Sequence, residues 1–194
     1  MPERFRNIIN TALLIGSFGV GQGSIFLVQT WLVATGDLHL LAQFGVHFSF
    51  ATLAILIVEA GSLTVLARKV ALSVIEETEP GSVWRAYWET SLFRSAMCLA
   101  LLIIAAIYAA STDNVFSQNY VLFALPAFVI WSFNAGGMLD GLKLSGMSGL
   151  TGAIAYVASA VALIFAIGKP DAQAGAILGL ALSLGYLLTV ALQF

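Results

Sequence analysis

Charged side chains divide this sequence, and the intervals between them set what it can fold into. No Asp, Glu, Lys or Arg occurs in residues 7–36, 95–112, 114–139, 144–168 or 172–194, and residues 38–67 hold only Glu59. A helix that crosses a bilayer needs about 20 largely apolar residues, each adding about 1.5 Å across a hydrocarbon core of about 30 Å. The intervals therefore predict six membrane spans, at roughly 9–34, 41–66, 92–111, 118–139, 149–168 and 172–193. The expected fold class is an all-α membrane protein, a six-transmembrane-helix bundle forming a single lobe over residues 1–194. Its one long polar link, 69–91, is expected to be cytoplasmic.

Composition agrees. Apolar residues make up 60% of the 194 and charged residues 9%, against about 25% charged in soluble domains, and the mean hydropathy is +0.96. The bilayer is the first expected partner. Net charge is −2 and the eight basic residues form no block, so nothing points to nucleic acid. The single cysteine, Cys98, lies in an apolar run and reads as a small packing residue.

The basic residues alternate across the links. Arg4 and Arg6 precede the first span, Arg68, Lys69, Arg85 and Arg94 surround the link between spans two and three, and Lys143 lies between four and five. The other links hold Lys169 beside Asp37, Asp113 and Asp171. Such asymmetry orients membrane proteins, so both termini are expected in the cytoplasm. The charge-free stretch 7–36 exceeds the 7–15 apolar residues or so of a signal peptide and reads as a span. Within the long link, Pro80-Gly81 is a break and Ser82 an expected N-cap. Trp84, Tyr87, Trp88 and Phe93 then share one helix side, with Arg85 and Glu89 as an i,i+4 pair elsewhere. This pattern suits an amphipathic helix at the membrane surface or the aromatic belt of span three.

Inside the spans, small residues recur four apart: Gly19 and Gly23, Gly137 and Gly141, Gly175 and Gly179. In lipid such pairs let backbones approach closely. The run 19–23, GVGQG, lacks the strand-to-helix setting of a nucleotide loop. Thr11, Gln22 and Gln29 return to nearly one helical angle, so span one carries a polar stripe that should avoid lipid. It lines a cavity or bonds a neighbouring helix. Glu59 is the only acid well within a span, where a charge costs about 3 kcal/mol on insertion scales. It either couples transport to an ion gradient, or is a neutral acid or a partner for Arg68 or Arg94 near the cytoplasmic rim. Gln43 and His47 lie one turn apart in span two, His47 reading as a packing residue before a proton relay. Pro126 has no N–H for the carbonyl of Leu122, which predicts a kink in span four. Asn134 and Asp140 follow it.

With two histidines, His39 and His47, and one cysteine, no metal site is expected, and no Ser-His-acid spacing argues for an enzyme. No cofactor is expected either.

The segment ATGDLHLLAQFGVHFSFATLAILIVEAGSLTVLARKVA, residues 34–71, resembles the first helical pair of Wzx-type polysaccharide flippases of the multidrug/oligosaccharidyl-lipid/polysaccharide exporter superfamily. The corresponding elements are Phe44-Gly45, Glu59-Ala60-Gly61, and Arg68 with Ala71. WSFNAGGMLDGLKLSGMSGL, residues 131–150, is similar to that family's passage from helix four into five. The resemblance implies one lobe of a transporter of twelve or more helices, in the bacterial inner membrane. Such a transporter moves isoprenoid-diphosphate-linked glycans to the outer leaflet by alternating access. Six spans correspond to half of that, so a second six-helix lobe, in the same longer chain or another subunit, is an expected partner. A diphosphate calls for cations, and Arg68 and Arg94 are the nearest candidates. The cavity candidates are thus Glu59, Gln22, Gln29, Thr11, His47, Asn134, Arg68 and Arg94. A small-molecule antiporter of the same superfamily, coupled through Glu59 to protons or sodium, and a non-transporting membrane scaffold are the competing expectations.

Overall fold

In hydrocarbon, backbone N–H and C=O groups find no water, so an apolar chain must satisfy them within helices. The protein does so. A computed structural model of the chain describes residues 3–76 and 81–194, and these hold eight helical segments and no strand. They are α1 (Glu3–Thr35), α2 (Leu38–Glu59), α3 (Ser62–Ile75), α4 (Ser82–Ser111), α5 (Val115–Trp131), α6 (Gly136–Gly141), α7 (Ser145–Ala166) and α8 (Asp171–Ala191). Six stretches are long and apolar enough to cross a membrane, α5 and α6 together making the fourth, so this is a multi-pass membrane protein. Pro80 lies outside the described residues.

Two spans are interrupted. The second was expected to run unbroken to about residue 66, but α2 stops at Glu59 and α3 restarts at Ser62. Ala60 and Gly61 both adopt left-handed backbone, φ 41° and 75°, which ends the first helix and turns the chain into the next. Apolar side chains continue across this point, which is why hydropathy does not register it. The fourth span passes Pro126 without ending and breaks later, at residues 132–135. There the Ala135 N–H donates to Gln193 Oε1 (2.8 Å) and the Gly136 N–H to Asn134 Oδ1 (2.8 Å). The backbone freed by the break is thereby satisfied inside the bundle.

The centre is α5 against α8, flanked by α7, with α1 packed along α7. Gly175 and Gly179 set the first of these contacts: a Cβ at either would strike the carbonyl oxygen of Phe116 or Tyr120. Gly137 and Gly141 similarly bring α6 onto Leu63 and Val70 of α3. Gly19 and Gly23, expected to behave alike, face open space, and it is Gly21 that meets Ala153 and Tyr156 of α7.

The beginning of α4 departs from expectation in two details. Gly81 is its N-cap and Ser82 the first helical residue. Glu89 pairs with Lys69 of α3 at 2.7 Å, in place of the expected Arg85 partner. The aromatic side of α4 is part of one continuous helix from 82 to 111, where Tyr87 is buried against Trp84, Trp88 and Phe194.

Candidate functional site: the Glu59 cleft

Glu59 is the last residue of α2, and the left-handed turn after it leaves its carboxylate at the mouth of a cleft of about 320 Å³. The walls come from α1, α2, α5, α7 and α8 and include Gln22, Thr52, Glu59, Trp131, Tyr156 and Tyr186. The Trp131 indole N–H donates to Glu59 Oε1 at 2.8 Å. Tyr186 packs edge-on against Trp131, ring centroids 4.7 Å apart. Gln22 of α1 and Tyr156 of α7 line the same cleft. Glu59 is thus half-buried and already engaged, which is how a carboxylate is tolerated at this depth.

Behind the cleft lies Arg94 of α4, wholly buried. Its Nε donates to Ser62 Oγ at 2.6 Å and its Nη1 to the Asn134 carbonyl at 2.6 Å. The two acceptors sit at the two helix interruptions, one just past α2 and one between α5 and α6. Asn134 is buried as well, and its side-chain Oδ1 accepts from the Gly136 N–H. Glu59 also feels the Arg94 charge, although the two do not form a direct ion pair.

The predicted residues therefore separate into groups. Glu59, Gln22, Asn134 and Arg94 gather at one place, with Glu59 and Gln22 lining the cleft and the other two behind it. Thr11 and Gln29 do not line it. Thr11 is exposed and Gln29 half-buried, so the stripe does not face one cavity as a unit. The reason is the length of α1: its 33 residues pass the cleft only around residues 14–22. Arg68 is exposed on α3 and no lysine or arginine lines the cleft, so neither expected cation is placed to meet a ligand there.

His47 faces the other side of α2. Its Nδ1 donates to the Gln43 carbonyl at 2.6 Å, and in the neutral ring Nε2 accepts from Ser117 Oγ at 2.8 Å. Both nitrogens are used to fasten α2 to α5. It borders a separate crevice of about 430 Å³ between α2, α4 and α5, whose walls are almost entirely apolar.

Trp131, Tyr156, Tyr186 and Ser62 were not singled out by sequence reasoning. The signal available for Trp131 was its place three residues before Asn134 in a stretch with Gly136-Gly137. For the tyrosines and Ser62 there was none. Among the described residues no three His, Cys, Asp or Glu side chains gather into a metal-binding group.

Comparison with known proteins adds no relative: no protein-family model, curated protein or solved structure matches the chain.

Proposed function

We propose that the chain is one lobe of a membrane transporter whose cleft receives the sugar portion of an isoprenoid-diphosphate-linked oligosaccharide. Alternating access across the bacterial inner membrane would carry that cargo, with both termini in the cytoplasm and a second six-helix lobe closing the far wall. The single observation carrying this reading is the Glu59 cleft, an ionisable side chain beside an interrupted membrane helix. Intramembrane acids are costly and mark substrate or ion pathways, and broken helices at membrane depth occur where they line a cavity. The lining suits a glycan. Trp131, Tyr156 and Tyr186 offer flat apolar faces to sugar C–H groups, and Gln22 and Glu59 offer bonding groups for hydroxyls. The resemblance of residues 34–71 and 131–150 to Wzx-type flippases points the same way. Since the cleft carries no cation of its own, the diphosphate would be met by the second lobe.

A second reading rests on Glu59 being the only acid among the described residues that line the cleft. A lone carboxylate beside a small cavity would also serve a proton- or sodium-coupled antiporter of small molecules.

The test is Glu59→Gln in the full-length protein, scored by surface glycan in a complementation assay and by protein level in the membrane. One lost bond of about 1.4 kcal/mol in the transport cycle predicts about a tenfold fall in export at unchanged protein level. Unchanged export removes Glu59 from the mechanism. Loss of small-molecule efflux with intact glycan export selects the antiporter.

A further inference from the structure

Among the described residues Arg94 is the one charged side chain that is fully buried, and burial alone makes it an anomaly. An arginine taken from water is costly unless its donors are matched and its charge is countered. Its matching is incomplete. Nε and Nη1 are bonded to Ser62 Oγ and the Asn134 carbonyl, but Nη2 has no hydrogen-bond partner. Unpaired buried donors are rare enough in folded proteins to call for an explanation.

The surroundings narrow that explanation. The titratable groups acting on Arg94 are Glu59 from α2 and Tyr87 from its own helix. Tyr87 is committed elsewhere, its hydroxyl donating to the Phe133 carbonyl at 2.9 Å. Glu59 is held on the cleft side by the bond it accepts from Trp131. Asn134 accepts from Arg94 through its backbone carbonyl, beside the α5–α6 break. Only the turn Ala60–Gly61 separates Glu59 from Ser62, the residue on which Arg94 rests.

We propose that Arg94 is the positioning residue of the Glu59 site, a buried counter-ion that pins both helix interruptions and keeps Nη2 as a second berth for the Glu59 carboxylate. Glu59 then has two positions. In one it accepts from Trp131 and faces the cleft, as observed. In the other it moves back onto Arg94, leaving Trp131 free and shifting the Ala60–Gly61 turn. A two-position carboxylate of this kind links occupancy of the cleft to the helix breaks, because each position makes contacts that the other lacks. The pairing is a property of the chain itself and does not depend on which cargo the cleft takes.

The test is a double-mutant cycle on the full chain purified in detergent, read by thermal unfolding and by Trp131 fluorescence with Trp31, Trp84 and Trp88 replaced by Phe. Glu59→Gln alone should lower the unfolding midpoint, since it leaves the Arg94 charge uncountered. The same substitution added to Arg94→Met should leave the midpoint unchanged or raise it. In Arg94→Lys, which keeps the charge without the planar fork, Glu59→Gln should again be destabilising. A purely packing role for Arg94 would give equal losses from Glu59→Gln in all three backgrounds, and that result overturns the proposal. If Arg94→Met does not fold, Ser62→Ala serves: releasing Nε from its anchor should draw Glu59 off the indole and shift Trp131 emission. Emission identical to the parent would equally overturn it. Glycan export plays no part in these readings, so failure of the transport proposal and failure of this one remain distinguishable.

Discussion

Gly175 and Gly179 of α8 have the same spacing as Gly19 and Gly23 of α1, yet the two pairs do different things. The first pair lies against the Phe116 and Tyr120 carbonyls with no room for a methyl group, while the second meets nothing within 4 Å. Spacing establishes which face of a helix is smooth; whether another backbone is pressed onto that face depends on the neighbour. The α5–α8 seam is a tight backbone contact. The middle of α1 is a surface helix whose inward residues line the Glu59 cleft. Close backbone approach marks the α5–α8 seam, while the inward residues of α1 border open space at the cleft.

Substitutions along these helices should separate the two cases. Gly179→Val drives a branched side chain into the Tyr120 carbonyl and Phe123. Overpacking of this kind costs about 1–3 kcal/mol and more where backbone has to move. The variant should fail to give a monodisperse peak in size-exclusion chromatography; a normal peak would mean that the seam is loose. A smaller effect of opposite sign is expected at Ala60, where a non-glycine residue holds φ 41°. Ala60→Gly should stabilise the protein by about 1 kcal/mol in thermal unfolding, because glycine enters left-handed backbone without the Cβ clash. A loss of stability would show that the Ala60 methyl group packs. Gly19→Val should lie within about 0.5 kcal/mol of the parent, and a large loss there would contradict the openness of that face.

Much of the architecture was legible from charge spacing. Six long apolar intervals gave six apolar helices because hydrocarbon permits few alternatives, and Glu59 stood out as the only acid well within an expected span. The two interruptions were not legible. Ala60-Gly61 is as apolar as its surroundings, and the left-handed turn there is a backbone property that hydropathy does not carry, while Asn134 alone does not mark a break. The burial of Arg94 was not legible for a related reason. Its position at the start of an apolar run says nothing of the neighbours, α3 and the α5–α6 break, that close over it. The stripe of Thr11, Gln22 and Gln29 had the right angle but too great a length, and only Gln22 falls at the level of the cleft. The role of Gln193 in satisfying the α5–α6 break depends on a contact 58 residues distant in sequence, which periodicity along one helix does not reveal.

The central claim is that cargo uses the polar flank of α2, where Glu59 lies, and not the apolar crevice on its other flank beside His47. A cysteine at each flank tests this directly: Gln22→Cys in the cleft and Val46→Cys in the crevice, each treated with a small methanethiosulfonate in cells exporting glycan. Modification at position 22 should reduce export about tenfold, the effect of about 1.4 kcal/mol, while modification at position 46 leaves it unchanged. Export blocked at position 46 and untouched at position 22 would contradict the account.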